Sequence, residues 1–504
     1  MRLVPARVIV GAVLVLVLVA CPSTGGGVSS VTIDGGDRNV AVGNTRSLTA
    51  TVVATVGVDR DVTWRSSDED VATIDATGTA LGRGVGTADI TATSVVDATK
   101  SDTITLTIDP PGVVRWTRQF GTGTADAVHG IATDAIGSVY LVGDTFAALE
   151  GAHEGDSDAF VRAYGRTGEI LWTRQFGTSG EDRARGVATD GDGNVYVAGY
   201  TSGALEGANA GTFDAFVRAY DADGVFRWGR QFGTGGEDVA TAVATDTSGN
   251  VYVVGSTSGA LEGSNAGGLD AFVRSYDANG VFRWTRQFGT GGADDATGIV
   301  IDANDNVYVA GHVQGLLEGA HAGAIDAFVR SYDSGGEIRW TRQFGTGSWD
   351  YAEGVATDAS GNVYVVGSTE GSLEALGVNA GFEDAFVRSY DGGGALRWTR
   401  QFGTAGVDVA YGVATDTAGR VYVTGYTTGV LEGAGAGGSD AFVRAFDGSG
   451  DLRWTRQFGT GGADVANGIA TDAEGDVYVA GRTSGVLVGA NAGGDDAFVR
   501  AYGP

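Results

Sequence analysis

The chain has 504 residues but only one cysteine, one methionine, one lysine and five prolines. Cys21 has no second thiol, so disulfides within the chain and multi-thiolate metal sites are both excluded. There are four histidines, His129, His153, His312 and His321. They do not fall at zinc-ligand spacing, and each reads as a surface or packing residue. Glycine pairs are frequent, but none leads into the Gly-Lys-Ser of a phosphate loop, and no serine sits in a nucleophile elbow. Positive charge is scarce too. Lys and Arg number 33 against 62 Asp and Glu, a net charge of -29 that repels phosphate backbones and makes nucleic acid an unexpected partner.

Glycine, by contrast, is abundant, at 87 residues without a Gly-X-Y period, which implies many tight turns. A hydrophobic fraction of 42% is enough for a folded core. The strongest pattern is the heptapeptide Trp-Thr-Arg-Gln-Phe-Gly-Thr. It begins at Trp116 and recurs, with one change, at Trp172, Trp228, Trp284, Trp340, Trp398 and Trp454. The spacing is 56 residues except for one interval of 58, so residues 113–504 are a repeat array.

The N-terminus reads as an export signal, residues 1–20. Arg2 and Arg7 precede the apolar run Val8–Ala20, whose thirteen residues are too few to span a bilayer. Leu18-Val19-Ala20-Cys21 resembles the lipobox of bacterial lipoproteins. That resemblance implies cleavage before Cys21, lipidation of its thiol, and a protein held by its lipid anchor on a bacterial envelope membrane, facing the periplasm or the outside. Residues 21–27 are then a flexible tether.

Residues 28–109 alternate apolar and polar residues in short Thr-, Val- and Ile-rich runs, the pattern of a β-sandwich. The string Val62-Thr-Trp-Arg-Ser-Ser-Asp-Glu-Asp-Val-Ala-Thr-Ile-Asp, followed by Gly82 to Thr93, resembles the group 2 bacterial Ig-like domain, which implies a spacer or adhesion module with Trp64 as core aromatic. Pro110-Pro111-Gly112 reads as a stiff linker, residues 110–112.

Within one repeat, Gly186-Val-Ala-Thr, Asn194-Val-Tyr-Val-Ala, Asp214-Ala-Phe-Val-Arg-Ala-Tyr and Val225–Phe232 read as four antiparallel strands, one propeller blade. The unit resembles the SBBP-type β-propeller repeat of secreted bacterial proteins. The array opens with an orphan outer strand at Val113–Phe120 and ends with an orphan three-strand unit at Tyr502. The predicted fold is therefore all-β, a seven-bladed propeller closed by its N-terminal outer strand and preceded by the Ig-like sandwich. Such a closed ring is expected to be a monomer. Trp116, Arg118 and Phe120 share one strand face, as do Phe160, Arg162 and Tyr164, and guanidinium groups are expected to stack on rings between blades.

Residues present in all seven copies read as structural, because one active site does not need seven copies. Asp190, Asp192 and Asn194 resemble the start of a calcium loop but lack its glycine and terminal glutamate, so no cofactor is expected, with calcium the only candidate. The positions that vary between copies lie on the face carrying the long loops. One set precedes the first strand: His129, Arg185, Thr241, Thr297, Glu353, Tyr411 and Asn467. Another ends the second strand and includes Tyr200, His312, Tyr426 and Arg482. The fifth copy departs most, with Trp349, Tyr351 and the inserted Ala375-Leu-Gly-Val-Asn. Exposed aromatics beside carboxylates suit sugar stacking or peptide anchoring, so a non-enzymatic binding or scaffolding role towards a surface glycan or protein is the leading expectation. A polysaccharide hydrolase or lyase, which would need carboxylates or histidines clustered in the central channel, and a purely structural envelope protein are the alternatives.

Overall fold

Alternating, β-branched sequence predicts strands throughout. The computed structural model, which describes residues 27–34, 38–374 and 379–503, contains 37 strands and no helix among them. The export segment, Cys21, most of the tether and residues 375–378 of the fifth-copy insertion lie outside the described residues. The chain divides into two compact units between Pro110 and Pro111.

The first unit has nine strands: β1 (Val28–Asp34), β2 (Asn39–Ala41), β3 (Thr45–Ser47), β4 (Thr49–Ala54), β5 (Val62–Ser66), β6 (Ala72–Ile74), β7 (Thr79–Gly82), β8 (Gly86–Ser94) and β9 (Ser101–Asp109). They form the sheets β1-β4, β2-β9-β8-β5 and β3-β7-β6. Alternate residues of β8 and β9, including Ala88, Ile90, Leu106 and Ile108, fill the core. Trp64 packs against this core partly buried, while its centre is aliphatic.

The second unit is seven four-stranded antiparallel sheets. The first blade runs β11 (Asp126–Thr133), β12 (Val139–Thr145), β13 (Asp158–Tyr164) and β14 (Ile170–Phe176), and five more follow in the same order. The inner strands pack on one another round the ring, and Asp464–Thr471 returns to β11. The last blade borrows its outer strand. β10 (Val114–Phe120) pairs antiparallel with Asp496–Tyr502, Phe120 opposite Ala497 and Thr117 opposite Arg500.

The break in this ring falls inside a hairpin turn. In the intact second blade the Asp221 N–H donates to Val225 O and the Gly224 N–H to Asp221 O, both at 2.9 Å. In the last blade the Gly503 N–H donates to Val113 O at 2.8 Å and the Gly112 N–H to Gly503 O at 3.1 Å. Gly503 and Gly112 thus take the places of Asp221 and Gly224, and Gly112 has the left-handed φ of 69° that the turn requires. Pro111 and Gly112, expected in the linker, belong to the propeller.

The heptapeptide is a seam device. Trp172 donates its indole N–H to Ala222 O at 2.8 Å and the Arg174 Nε–H goes to Gly224 O at 2.8 Å, so each outer strand grips the turn of the next blade. At the closure, Arg456 grips Gly112 O and Pro111 O in the same way. The expected stacking is present at every seam, Arg162 lying 4.2 Å from the Phe120 ring centroid and Arg218 at the same distance from Phe176. Gln231 ties down the long loop: its Oε1 accepts from Leu205 and Glu206 N–H, and its amide donates to Asp214 at 3.0 Å. Asp182 accepts the Thr178 N–H at 2.6 Å and so caps the loop amides before its strand. Adjacent blades are also joined main chain to main chain, the Asp182 N–H donating to Ser157 O and, closing the circle, Asp126 to Asp495 O at 2.7 Å.

The first strand of each blade begins four residues earlier than expected, at Asp182 rather than Gly186 in the second copy. A β-bulge hides this. Register with the second strand slips between Ala184 and Gly186, and at the same place in all seven blades. The slipped residues are His129, Arg185, Thr241, Thr297, Glu353, Tyr411 and Asn467.

Candidate functional site

A bulge leaves one residue outside the ladder and re-aims its side chain. Here seven bulges sit side by side on the first strands of the blades, which pack on one another round the ring, so the bulge residues form one circle. The glycine or alanine after each bulge lets neighbouring inner strands approach: a Cβ on Gly186 would lie 2.7 Å from Ala242 Cα. Neighbouring inner strands are therefore closely packed immediately beside the ring.

Most ring members are held by their surroundings. His129 Nε2 pairs with the buried Asp144. Thr241 donates to Ala296 O at 2.5 Å, Thr297 to Ala352 O at 2.8 Å and Asn467 to Val128 O at 2.7 Å, each reaching the next blade. The Tyr411 ring lies 5.9 Å from that of Tyr426, and burial raises the pKa of both. The two remaining members carry opposite charge. Arg185 sits 5.6 Å from the Tyr200 ring, its guanidinium lies against the Tyr200 hydroxyl, and its charge helps to hold the buried Asp144 carboxyl below the usual range. Glu353 makes no hydrogen bond or ion pair among the described residues.

Glu353 faces groups from three blades. Burial pushes its carboxyl up to about 7; Glu383 and Asp295 push the same way and His312 opposes them. His312 stacks edge-on against Tyr351 at 5.0 Å and lies 3.4 Å from Asp295. Asp295 is raised by burial, but hydrogen bonds from His312 and Ser256 outweigh this and hold it below the usual carboxylate range. Glu383 is raised by burial and by Glu370. The structure thus brings Glu353, His312, Tyr351, Tyr411 and Tyr426 together on the fourth to sixth blades. Tyr200 and Arg185 share the second blade, and Arg482, on the seventh, pairs with Asp495. Trp349 stands apart at the seam, 49% exposed, bridged to Ile325.

Asp190, Asp192 and Asn194 lie in a tight turn. Asp190 accepts the Asp192 and Asn194 N–H groups, the Asn194 side chain and the Tyr196 hydroxyl at 2.8 Å. Among the described residues no three His, Cys, Asp or Glu side chains are grouped to hold a metal.

Sequence reading missed Arg183, Asp295 and Glu383. The first two belong to a third varying set, opposite the second-strand positions across the ladder: Arg183 faces Tyr200 and Asp295 faces His312. Comparing the copies two residues before each bulge would have found them.

The titration of Glu353 gives a test. A carboxyl whose folded pKa lies above its unfolded value of 4.5 stabilises the fold fully below that value and loses the contribution as pH rises through about 7. Glu353→Gln should match the wild type near pH 4 and exceed it at pH 8 by on the order of 2 kcal/mol. Denaturant melts at the two pH values measure this, and a difference independent of pH would refute it.

Comparison with known proteins places these features. Residues 27–105 match the bacterial Ig-like domain (group 2), and six stretches, 171–205, 227–261, 283–315, 339–374, 397–432 and 453–487, match the beta-propeller repeat SBBP. The chain is 31% identical over 206 residues to the regulatory protein FlaEY of Caulobacter vibrioides, covering 36% of this chain and 22% of that one. It is 42% identical over 87 residues to a 3-O-alpha-D-galactosyl-alpha-L-arabinofuranosidase of Bifidobacterium longum, covering 16% of this chain and 8% of the enzyme. The chain thus spans less than a quarter of these relatives. Among solved structures, Sqt1 from Chaetomium thermophilum aligns with a TM-score of 0.42 at 13% identity, over 78% of this chain and 99% of that one. The propeller domain of the Trilobed protease from Pyrococcus furiosus aligns with 0.42 at 10%, over 75% and 94%. Sheet order, seam motif and family matches agree: this chain joins a group 2 bacterial Ig-like domain to a ring of SBBP beta-propeller repeats.

Proposed function

We propose that this protein is a surface-anchored, non-enzymatic binding module. Residues 1–20 direct export, Cys21 carries the lipid, the Ig-like unit is a spacer, and the long-loop face of the propeller takes a glycan or protein ligand. The observation that carries this reading is where the seven copies differ. The seam residues repeat almost without change, while the bulge residues and their ladder neighbours differ in charge, size and aromaticity, as a face selected for contact would. Tyr351, Tyr411 and Tyr426 beside Glu353 and Glu383 favour a hydroxyl-rich or basic ligand. Glycan arrays and envelope-protein pull-downs test the reading. Trp349→Ala and Tyr351→Ala are each expected to weaken binding about tenfold, roughly 1.4 kcal/mol. Wild-type binding that both variants retain in full would remove this face from consideration.

One observation favours a second reading, glycoside hydrolysis. Glu353, whose carboxyl titrates at about 7, stands near Asp295, which stays ionised, and two such carboxyls can divide acid and base roles. Turnover of aryl glycosides that disappears in Glu353→Gln would support it, and no turnover by the wild type would end it.

A further inference from the structure

A ring of near-identical repeats must choose where to close. β10 pairs with the third strand of the last blade, yet the same five residues, Asp-Ala-Phe-Val-Arg, head the third strand of every blade, from Asp158 to Asp496. Propellers with different blade numbers are all stable forms. Closure on the sixth blade would therefore also bury β10, and would leave the last repeat outside.

The turn joining the first two strands is what differs between blades. It opens with Asp in every copy, and its fifth residue is Ser138 in the first, Asn in the next four, Arg420 in the sixth and Asp476 in the seventh. The Asn side chains donate to the Asp that opens their own turn, Asn250 to Asp246 at 2.7 Å for one. Asp476 has no such proton to give. It sets a second buried carboxylate beside Asp472, and arginines from the other end of the propeller reach both. Arg115, on β10, lies 3.0 Å from Asp476. Arg166, in the first blade where the next five copies have Ala, Ser or Gly, lies 3.2 Å from Asp472, 3.3 Å from Asp476 and 2.9 Å from Glu474. The sixth blade carries the opposite sign. Closure there would set Arg115 and Arg166 against Arg420. The arginine at the place of Arg115 bonds the second-strand tyrosine hydroxyl in the third to fifth blades, as Arg283 bonds Tyr252 at 3.1 Å, but Arg453 of the sixth pairs with Asp447 at 2.8 Å instead.

We propose that Arg115, Arg166 and Asp476 form a closing key that directs β10 to the seventh blade, while Arg420 repels it from the sixth. Buried charge is poor at adding stability, and its best-attested use is to fix register. Burial pushes the Asp476 carboxyl up to about 6; Arg115 and Arg166 oppose this and Asp472 adds to it. Stability alone would favour the Asn of the other copies. Selection of one partner among near-equals needs an attraction at the right place and a repulsion at the nearest wrong one, and the two exceptional turns supply one each.

Limited proteolysis with mass spectrometry, applied to the full chain after unfolding in denaturant and dilution, tests the proposal. Closure on the seventh blade protects the whole ring, whereas closure on the sixth leaves Leu452–Phe458 and the last repeat open to cleavage. The wild type is expected to refold to the first form. Arg166→Ala with Asp476→Asn gives these turns residues that other copies carry and removes the key; the fraction cleaved in the last repeat should rise about tenfold or more. Arg420→Asp with Asp476→Asn moves the key to the sixth blade and should raise that fraction further. Melting of the resistant rings shows that each variant folds, and a role confined to stability would shift those melts without changing which blade takes β10. The proposal is overturned if either double variant refolds with its last repeat as protected as in the wild type. Cleavage spread evenly over all seven repeats would overturn it too, since the cluster would then only stabilise the ring.

Discussion

Deleting residues 112–120 should open the ring and cost on the order of 5–10 kcal/mol, most or all of the stability of a typical domain. The lost segment supplies a whole strand ladder to Asp496–Tyr502, the partly buried Trp116 and Phe120, and Gln119, whose amide holds Asp496 at 2.9 Å and whose carbonyl holds the Leu487 and Val488 N–H groups. It also exposes the edge of the last blade to other chains. The expected result is a melting transition lowered by tens of degrees, or absent, together with aggregation. A companion variant separates loss of the strand from loss of its connection. Moving Val113–Phe120 behind Tyr502 through an Asp-Ala-Asp-Gly turn rebuilds the hairpin as one continuous chain, and it should restore the wild-type melt. A rearranged chain that stays unstable would contradict the split-turn description, as would a deletion variant that melts normally.

The second large effect concerns a glycine with an ordinary φ. Gly255 lies under the bulged inner strand of its blade, and a Cβ there would come 1.8 Å from Val239 O. That atom is backbone, held in the ladder between Val239 and Ser256, so it cannot swing aside. Gly255→Ala should destabilise the propeller by about 3 kcal/mol or more, the cost of overpacking against a rigid neighbour. Gly291→Ala is the control: its added Cβ meets nothing within 4 Å and should be close to neutral. Equal melting of the two variants would show that the bulge yields. The same approach recurs at Gly143, Gly199, Gly311, Gly367, Gly425 and Gly481, so a substitution in one blade reports on a rule of all seven.

These glycines show where sequence reading stopped. Ring closure was legible because Trp116 is a copy of the seam motif with no blade before it. The seam itself was partly legible, since Arg162 and Phe120 alternate on their strand faces as stacking partners must. The bulge was not. An extra residue breaks the period-2 alternation that marks a strand, so Asp182–Ala184 read as loop and the first strand was placed from Gly186. Gln231 was passed over because its partners, Leu205 and Asp214, are set by a loop path that no periodicity records. At the channel, comparing copies picked out Arg185, Glu353, His312 and Tyr411. It could not tell that Thr241 is bonded to the next blade while Glu353 makes no hydrogen bond among the described residues, because that difference lies in the distances between blades.

Splitting a turn between Gly503 and Gly112 also makes closure the last event of the chain's synthesis. The outer strand made first waits unpaired until the last seven-residue strand has been synthesised, and only a chain that reaches Tyr502 can retire it. A product that stops within the last repeat, before Asp496, lacks that partner for β10, and its open ends are the kind of segment that proteases cut. Closure of the whole ring thereby rests on a single hairpin, whose two halves lie at opposite ends of the repeat array.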